Sequence, residues 1–363
     1  MVYADYASTC PVVKYPQRLY RDVLGEGYFL NPNTNYAYKE KRLLAEAENR
    51  VKKAIGAKGG KVVFGGTSSQ LIENLFTHIA EETNEYIALG SSYEHDAMWR
   101  FIDDARKDIC SLEHAIRTYH GDKQLIVCLM GVNNLTGEIM PVEEIGRLCH
   151  EHDAFYICDM TAMIGKVLIP ANIDQWCDCA VWSGHKLGTE LGIGAMWISD
   201  RLDKWLNGFK LHGTPNLAGA LAMTQAVEDA CDSRKLGQNM IHYGELLDHL
   251  IDGLVEKNVD FQLIPEYEDN EPYNKFALAI NAIRLPGFNA DALQQYLAFK
   301  QIYVSIGGSA CAEKHDYRVL NAYGLSNDEA SEVIRVSFGE DSSVEDVGAL
   351  VEGIKEFRDT YVK

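Results

Sequence analysis

The densest chemistry in the chain lies in Trp182-Ser183-Gly184-His185-Lys186-Leu187-Gly188, just past Asp178–Trp182, which reads as a buried strand. A lysine placed there stands at the carboxyl edge of a parallel sheet, where open α/β folds bind their ligands. Ser183 and His185 offer hydrogen-bond donors suited to a phosphate, and Gly184 and Gly188 let backbone approach closely. The combination suits a Schiff-base lysine that carries a phosphorylated aldehyde, pyridoxal phosphate. A solvated lysine after a strand is the plain alternative, and the motif alone does not choose between them.

Three neighbouring patterns add to it. Asp159 ends the apolar run Ala154–Cys158, where a carboxylate either pairs with a pyridinium nitrogen or caps a helix. Val132-Asn133-Asn134-Leu135-Thr136-Gly137 follows the run Gln124–Met130, and an Asn there binds a cofactor ring oxygen or builds the turn. Phe64-Gly65-Gly66-Thr67-Ser68-Ser69-Gln70 links a strand to a helix, so Ser68 and Ser69 join backbone N–H groups in an anion site.

Cys311 stands apart from the other eight cysteines. Gly307 and Gly308 precede it and polar residues follow, which reads as a mobile, exposed loop, unlike the apolar settings of Cys128, Cys158 and Cys179. A free thiol titrates near ~8.5, and Lys314 and His315 favour its thiolate. Other clusters carry less. Cys149-His150-Glu151-His152 lacks a second ligand pair at zinc spacing, and Cys177-Asp178-Cys179 has no further ligands nearby, so no metal site is expected. His120, His212 and His242 read as surface or boundary residues, and Glu266–Glu271 as a solvated loop.

The elements that must position these groups follow from periodicity. Lys61–Phe64, Tyr86–Leu89, Gln124–Met130, Ala154–Cys158, Asp178–Trp182 and Ile193–Ile198 read as strands, several apolar on both faces. Helical patterns over Lys39–Ile55, Gln70–Ala80, Ala97–Arg106 and Val142–Glu151 lie between them, the last opened by Pro141. Strands buried on both faces and separated by helices imply a three-layer α/β domain around a mostly parallel sheet. After about residue 215 come helices near Asn216–Ala230 and Leu236–Val255, then strands at Asp260–Ile264, Phe276–Ile280 and Ile302–Ser305, with a helix at Ala290–Lys300. Capping boxes are expected at Ser326 with Glu329 and at Ser342 with Glu345. The expected division is a large α/β domain over 15–244 and a smaller α+β domain made of 1–14 and 245–363.

Composition narrows the function classes. The length of 363 residues suggests about two domains. Against 34 Lys and Arg stand 53 Asp and Glu, a net charge of -19, which disfavours nucleic acid and anionic membranes as partners. Nine scattered cysteines do not form a secreted disulfide framework. No basic-then-apolar leader is visible, and no apolar run approaches the ~20 residues of a membrane span. A cytoplasmic, reducing setting is expected.

Taken together, these residues resemble the class V aminotransferases of fold type I, and among them the cysteine desulfurases of the nitrogen-fixation and iron–sulfur-assembly type. Asp5-Tyr6-Ala7-Ser8-Thr9-Cys10-Pro11 resembles the family's Asp-Tyr-Ala-Ala-Thr-Thr-Pro opening, and Asn31-Pro32 its Asn-Pro before the first long helix. Glu94-His95 resembles the Glu-His whose imidazole stacks on the cofactor ring. Asn133-Asn134-Leu135-Thr136-Gly137 is similar to Asn-Asn-Glu-Thr-Gly, and Ser183-Gly184-His185-Lys186 is the cofactor-lysine sequence unchanged. Gly213-Thr214 is similar to a pair that reaches the phosphate of the neighbouring subunit. Gly308-Ser309-Ala310-Cys311 matches the sulfur-accepting loop, and Ile334-Arg335-Val336-Ser337-Phe338-Gly339 resembles the strand whose Arg holds the substrate carboxylate.

The departures are specific. Asp159-Met160-Thr161-Ala162 stands where the family has Asp-Ala-X-Gln, so a Gln that helps bind the ring oxygen is missing. Leu135 replaces an acidic residue, Thr189-Glu190-Leu191-Gly192 replaces Gly-Pro-Lys-Gly, and His212 precedes Gly213-Thr214 where Arg-Ser is usual. Tyr317-Arg318-Val319-Leu320 follows Cys311 closely, a shorter loop than in relatives of this type.

The resemblance implies a homodimeric pyridoxal-phosphate enzyme that converts L-cysteine to L-alanine and passes the sulfur to Cys311 as a persulfide, then to an acceptor protein. Lys186 would carry the cofactor and shuttle protons, with His95 stacking and assisting. Ser68, Ser69, Asn134, Asp159, Ser183, His185 and the neighbouring subunit's Thr214 would hold the cofactor, and Arg335, with Asn134, the substrate. Two other readings stay open: a class V enzyme of different specificity (selenocysteine or cystine lyase, or aminotransferase), and a non-enzymatic scaffold of the same fold.

Overall fold

The apolar runs between residues 61 and 198 fold as one sheet whose central strands are covered on both sides. The computed structural model describes residues 1–26, 31–82, 85–266, 275–307 and 316–362. They divide into two units: Pro11–Gly131 with Met140–Leu236, and Met1–Cys10 with Val132–Ile139 and Gly237–Lys363.

The short strand β1 (Val2–Tyr3) belongs to the second unit. In the first unit, β2 (Lys61–Gly65), β3 (Tyr86–Ser91), β4 (Asp104–Arg106), β5 (Gln124–Cys128), β6 (Phe155–Asp159), β7 (Cys179–Ser183) and β8 (Gly194–Ile198) follow in the chain. Their spatial order is β2-β8-β7-β6-β5-β3-β4, with β8 antiparallel to both neighbours and the other pairs parallel.

Alternation along each strand explains the layers. Ile126, Ile157, Val181 and Met196 join Leu71, Leu75, Phe76 and Ile79 of the helix Ser68–Glu82 in one core. Val127, Tyr156, Ala180 and Trp197 point the other way and are equally buried. A sheet dry on both faces with helices around it is α/β architecture.

The second unit holds β9 (Gln262–Ile264), β10 (Ile280–Arg284), β11 (Ile302–Tyr303), β12 (Ser305–Ile306) and β13 (Val333–Ser337). An antiparallel sheet runs β12-β13-β10-β9, while β1 pairs in parallel with β11. Helices Ala290–Phe299 and Val344–Tyr361 pack on each other, burying Leu293, Leu297, Leu350, Ile354 and Phe357. The turn Val132–Ile139 closes on itself: Asn133 Oδ1 accepts the N–H groups of Leu135 at 2.9 Å and Thr136 at 3.0 Å. Gly137 adopts φ +77° there, with Ala277 O only 2.9 Å from where a Cβ would stand, so a side chain is excluded.

Several sequence expectations need correction. The helix expected over 97–106 is only Asp96–Trp99, because Asp103 docks on β3 instead: its Oδ2 accepts Ala88 N–H at 2.9 Å and its own N–H donates to Ala88 O. That contact converts Asp104–Arg106 into an added edge strand. The strand expected at Phe276–Ile280 begins only at Ile280, since Ile280 N–H donates to Ala277 O in a turn. Ser326 and Glu329 form the expected capping box, but the second is Ser343 with Asp346. Ser342 Oγ accepts Gly339 N–H at 3.0 Å and so serves the preceding turn. Pro141 stands at the N-cap position of the helix Val142–Glu151, one residue outside it, and makes no side-chain cap bond. No helix among the described residues is long and apolar enough to cross a membrane.

Candidate active site

Register brings three chain segments to one rung at the sheet edge. Gly194, the first residue of β8, pairs with Gly65 at the end of β2 and with Ser183 at the end of β7. The chain leaves β2 through Gly66-Thr67 and enters the helix at Ser68. Ser183 Oγ accepts Ser68 N–H at 3.1 Å and lies 2.9 Å from Ser68 Oγ. A Cβ on Gly194 would stand 2.8 Å from Thr67 C and 2.9 Å from Ser68 N, so only glycine lets the turn sit this low. The result is a helix N-terminus with two hydroxyls on it, Ser68 and Ser183, and Ser69 in the first turn. The helix dipole and these hydroxyls favour an anion.

From Ser183 the chain turns through a short 3-10 segment, Gly184–Lys186. Gly184 N–H donates to Ile193 O at 3.0 Å, and both Leu187 and Thr189 N–H return to Gly184 O. Those bonds pin the half-buried His185 and Lys186 beside the strand end. Burial above all, then the neighbouring Lys186 and His95, push the His185 imidazole down to about 4. It is therefore neutral near pH 7, with one N–H to donate.

His95 comes from the loop after β3. Ser91 Oγ donates to Glu94 Oε1 at 2.7 Å, and the same oxygen accepts Met130 N–H at 3.1 Å, fixing Glu94 within the sheet edge. His95 Nδ1 accepts Ala97 N–H at 3.1 Å and caps the short helix.

Asp159 closes β6 and is 6% exposed. Its Oδ1 accepts Thr161 N–H at 2.9 Å, the one hydrogen bond its carboxylate makes among the described residues. Thr161 Oγ1 is buried beside it without a partner there. A carboxylate this buried, with acceptor capacity left over, suits a protonated ring nitrogen better than it suits the interior alone. These donors and acceptors fit pyridoxal phosphate: an anion cradle, a lysine amine and a carboxylate at one sheet edge.

The expected site residues of the other unit are gathered around a second centre. Arg335, in mid-β13, donates from Nη1 to Asn134 O at 2.9 Å. Its Nη2 meets Asp5 Oδ1 at 2.8 Å, Ser8 Oγ at 2.5 Å and Ser305 Oγ at 3.0 Å. Sequence reasoning assigned no role to Asp5, Ser8 or Ser305; the only signal was the presence of Asp5 and Ser8 in the opening motif. Asn133 builds the turn, and Asn134 contributes its carbonyl. Thr214 is exposed in the loop before the helix Leu217–Cys231, where Gly213 O accepts Asn33 Nδ2 at 3.1 Å. Cys311 lies outside the described residues. Among those described, the thiols of Cys128, Cys149, Cys158, Cys177 and Cys179 are buried and pushed far up by desolvation, which makes them inert.

The chain belongs to the aminotransferase class-V family, whose model matches residues 3–350. It is 25% identical over 391 aligned residues to the cysteine desulfurase IscS of Mannheimia succiniciproducens, covering 98% of this chain and 92% of that protein. To the IscS of Dictyoglomus turgidum it is 26% identical, over 95% of this chain and 91% of the relative. Among solved structures, a NifS-like protein superposes with a TM-score of 0.83 at 21% identity, over 99% of each chain. A cysteine desulfurase from Thermococcus onnurineus superposes at 0.77 with 20% identity, over 98% of this chain and 94% of that one. These structural likenesses speak for the fold.

Proposed function

We propose that this protein is a pyridoxal-phosphate-dependent cysteine desulfurase, acting as a homodimer in the reducing cytoplasm. The observation that carries the reading is the single rung Gly65–Gly194–Ser183, with Lys186 in the turn beyond it and Asp159 at the next strand end. Family membership and the full-length likeness to cysteine desulfurases support it.

Ser68, Ser69, Ser183 and the neutral His185 hold the phosphate, joined by Thr214 of the neighbouring subunit. Lys186 would hold the cofactor aldehyde, Asp159 would keep the ring nitrogen protonated, and Asn134 and His95 would contact the ring. When bound, the cofactor draws electrons from the substrate's Cα and so loosens the bonds around it. Arg335, with Asn134 beside it, binds the carboxylate of L-cysteine and fixes which Cα bond faces the ring. The amine of Lys186 takes the Cα proton and returns a proton as alanine forms. Cys311 thiolate attacks the substrate sulfur: the carbon–sulfur bond breaks, a sulfur–sulfur bond forms, and L-alanine leaves the protein with a persulfide on Cys311. An acceptor protein then receives that sulfur.

The test is cysteine turnover with wild type and Cys311→Ala, followed by alanine and persulfide detection, with borohydride labelling of Lys186 alongside. Equimolar alanine and persulfide in wild type, lost in Cys311→Ala, is the expected result. Full sulfide release by Cys311→Ala would point to a lyase of the same family instead. Absence of any borohydride tag on Lys186 would overturn the reading altogether.

A further inference from the structure

Arg335 already has a carboxylate. Its side chain is 8% exposed, and a guanidinium so buried needs a counter-charge. Asp5 supplies it through one oxygen, Oδ1, held on that mark by the backbone around it. Asp5 bridges to Ser337 in the adjoining backbone, Ser337 N–H donates to Ala4 O at 2.8 Å, and Ala7 N–H donates to Ser337 Oγ at 2.9 Å. Ser8 Oγ donates to the same Asp5 Oδ1 at 2.9 Å and lies 3.1 Å from Ser305 Oγ.

The charge already beside Arg335 is the decisive point, and the crowding is confined to Nη2: Nη1 gives one bond to Asn134 O, and Nε is buried without a partner among the described residues. Nη2 carries two N–H groups and faces three acceptors, Asp5, Ser8 and Ser305. An incoming carboxylate oxygen at Nη2 therefore takes the place of one of them. It also meets a guanidinium whose charge Asp5 has offset, with Asp5 itself as a like charge close by.

We propose that Asp5 is an internal competitor for Arg335, a residue that sets how weakly or tightly the site holds a substrate carboxylate. The inference rests on the assignment of Arg335 to that carboxylate. Asp5 stabilises the empty site, and each substrate carboxylate must offset its presence. The negative charge of Asp5, more than its hydrogen bond, lowers affinity, so a neutral residue of similar shape raises it.

The experiment uses the cofactor-loaded protein. KM for L-cysteine is measured for wild type, Asp5→Asn and Ser8→Ala, and the dissociation constant of 3-mercaptopropionate, a thiol carboxylate without an amine, is measured by calorimetry. Asp5→Asn is expected to lower both by about three- to tenfold, the size of one partly exposed charge pairing. Ser8→Ala keeps the charge but frees one Nη2 N–H, so it is expected to lower both by clearly less than Asp5→Asn does. Asp5→Ser is the second neutral variant should Asp5→Asn fold poorly. Unchanged or raised constants in the neutral variants would overturn the proposal, since a residue that merely props Arg335 behaves that way. Arg335→Ala separates the two claims. If it weakens both constants while Asp5→Asn does nothing, the carboxylate assignment stands and the competitor role falls. If Arg335→Ala changes neither constant, the assignment itself falls.

Discussion

Ser183 Oγ accepts the backbone N–H of Ser68 at 3.1 Å, so the end of β7 and the start of the helix Ser68–Glu82 are tied by one hydroxyl. Gly194 makes that tie geometrically possible, because its missing Cβ is the space in which the Thr67–Ser68 backbone lies. Gly194→Ala must lift the turn, and the blocking atoms are backbone, which cannot rotate aside. Ser183→Ala removes only one acceptor and one hydroxyl. Gly194→Ala should therefore weaken binding of pyridoxal phosphate more than Ser183→Ala, by about 100-fold against about 10-fold. Equilibrium titration of cofactor-free protein checks the order; a milder effect from Gly194→Ala would mean that the cradle does not depend on this close approach.

The neutral imidazole of His185 gives a pH signature with a definite sign. In the unfolded chain it takes up its proton around 6.5, but in the folded chain only at about 4, because burial first, then Lys186 and His95 beside it, oppose it. Between those values the unfolded state binds more protons, so stability is full above 6.5 and falls as pH drops through about 4. The ring is partly exposed, and solvent screening holds the loss to about 1–2 kcal/mol. Urea unfolding at pH 7 and pH 4.5 should show that drop in wild type and a smaller one in His185→Gln. Bound phosphate should move the imidazole titration upward in NMR spectra, since an anion favours the charged ring.

Asp159→Asn separates shape from charge at the end of β6. The amide oxygen still accepts Thr161 N–H, so the turn survives. What goes is the negative charge proposed to keep a ring nitrogen protonated. Turnover should fall by about 100-fold or more, on the scale of losing one positioned electrostatic group. The bound cofactor's absorption spectrum should shift while the protein's melting temperature changes little. Equal activity in Asp159→Asn would remove the carboxylate from the proposed chemistry.

The parts of the structure legible in sequence share one physical property: they are local. Ala154–Cys158 and Asp178–Trp182 read as strands because a strand buried on both faces must be apolar without alternation. Lys186 could be placed at the sheet edge from those same runs, since a residue just past a buried parallel strand has nowhere else to be. Departures arise where one distant partner decides. Asp103 turns an expected helix into an edge strand by bonding to Ala88. The pairing of Asp5 with Arg335 spans 330 residues, and no local period encodes it. Ser342 and Ser343 both look like caps, and only the Gly339 N–H that Ser342 accepts tells them apart. The Gly194 close approach was open to reasoning from its position at a strand start, but its partner turn was not.

Cys177-Asp178-Cys179 looks featureless as sequence, yet Asp178 carries the opposite edge of the sheet. It is 1% exposed, and its Oδ2 accepts Tyr156 N–H at 3.0 Å and Arg201 Nη1 at 2.9 Å, and meets His150 Nε2 at 3.0 Å. Its Oδ1 accepts Ser199 Oγ at 3.2 Å. One carboxylate thus joins the starts of β6 and β7, the end of β8 and the helix Val142–Glu151. Removing it leaves Tyr156 N–H without its partner and the Arg201 cation without its counter-charge. Asp178→Ala should therefore destabilise the protein by about 3 kcal/mol, in the range for breaking a buried pair, while Asp178→Asn, which keeps acceptors, costs less. Asp178 lies at the start of β7 and Ser183 at its far end, so turnover per folded molecule should stay within about twofold of wild type, an effect below about 0.5 kcal/mol. Urea melts and active-site titration together decide it. A variant as stable as wild type but inactive would show that this edge of the sheet communicates with the Lys186 turn, contrary to the local role its contacts describe.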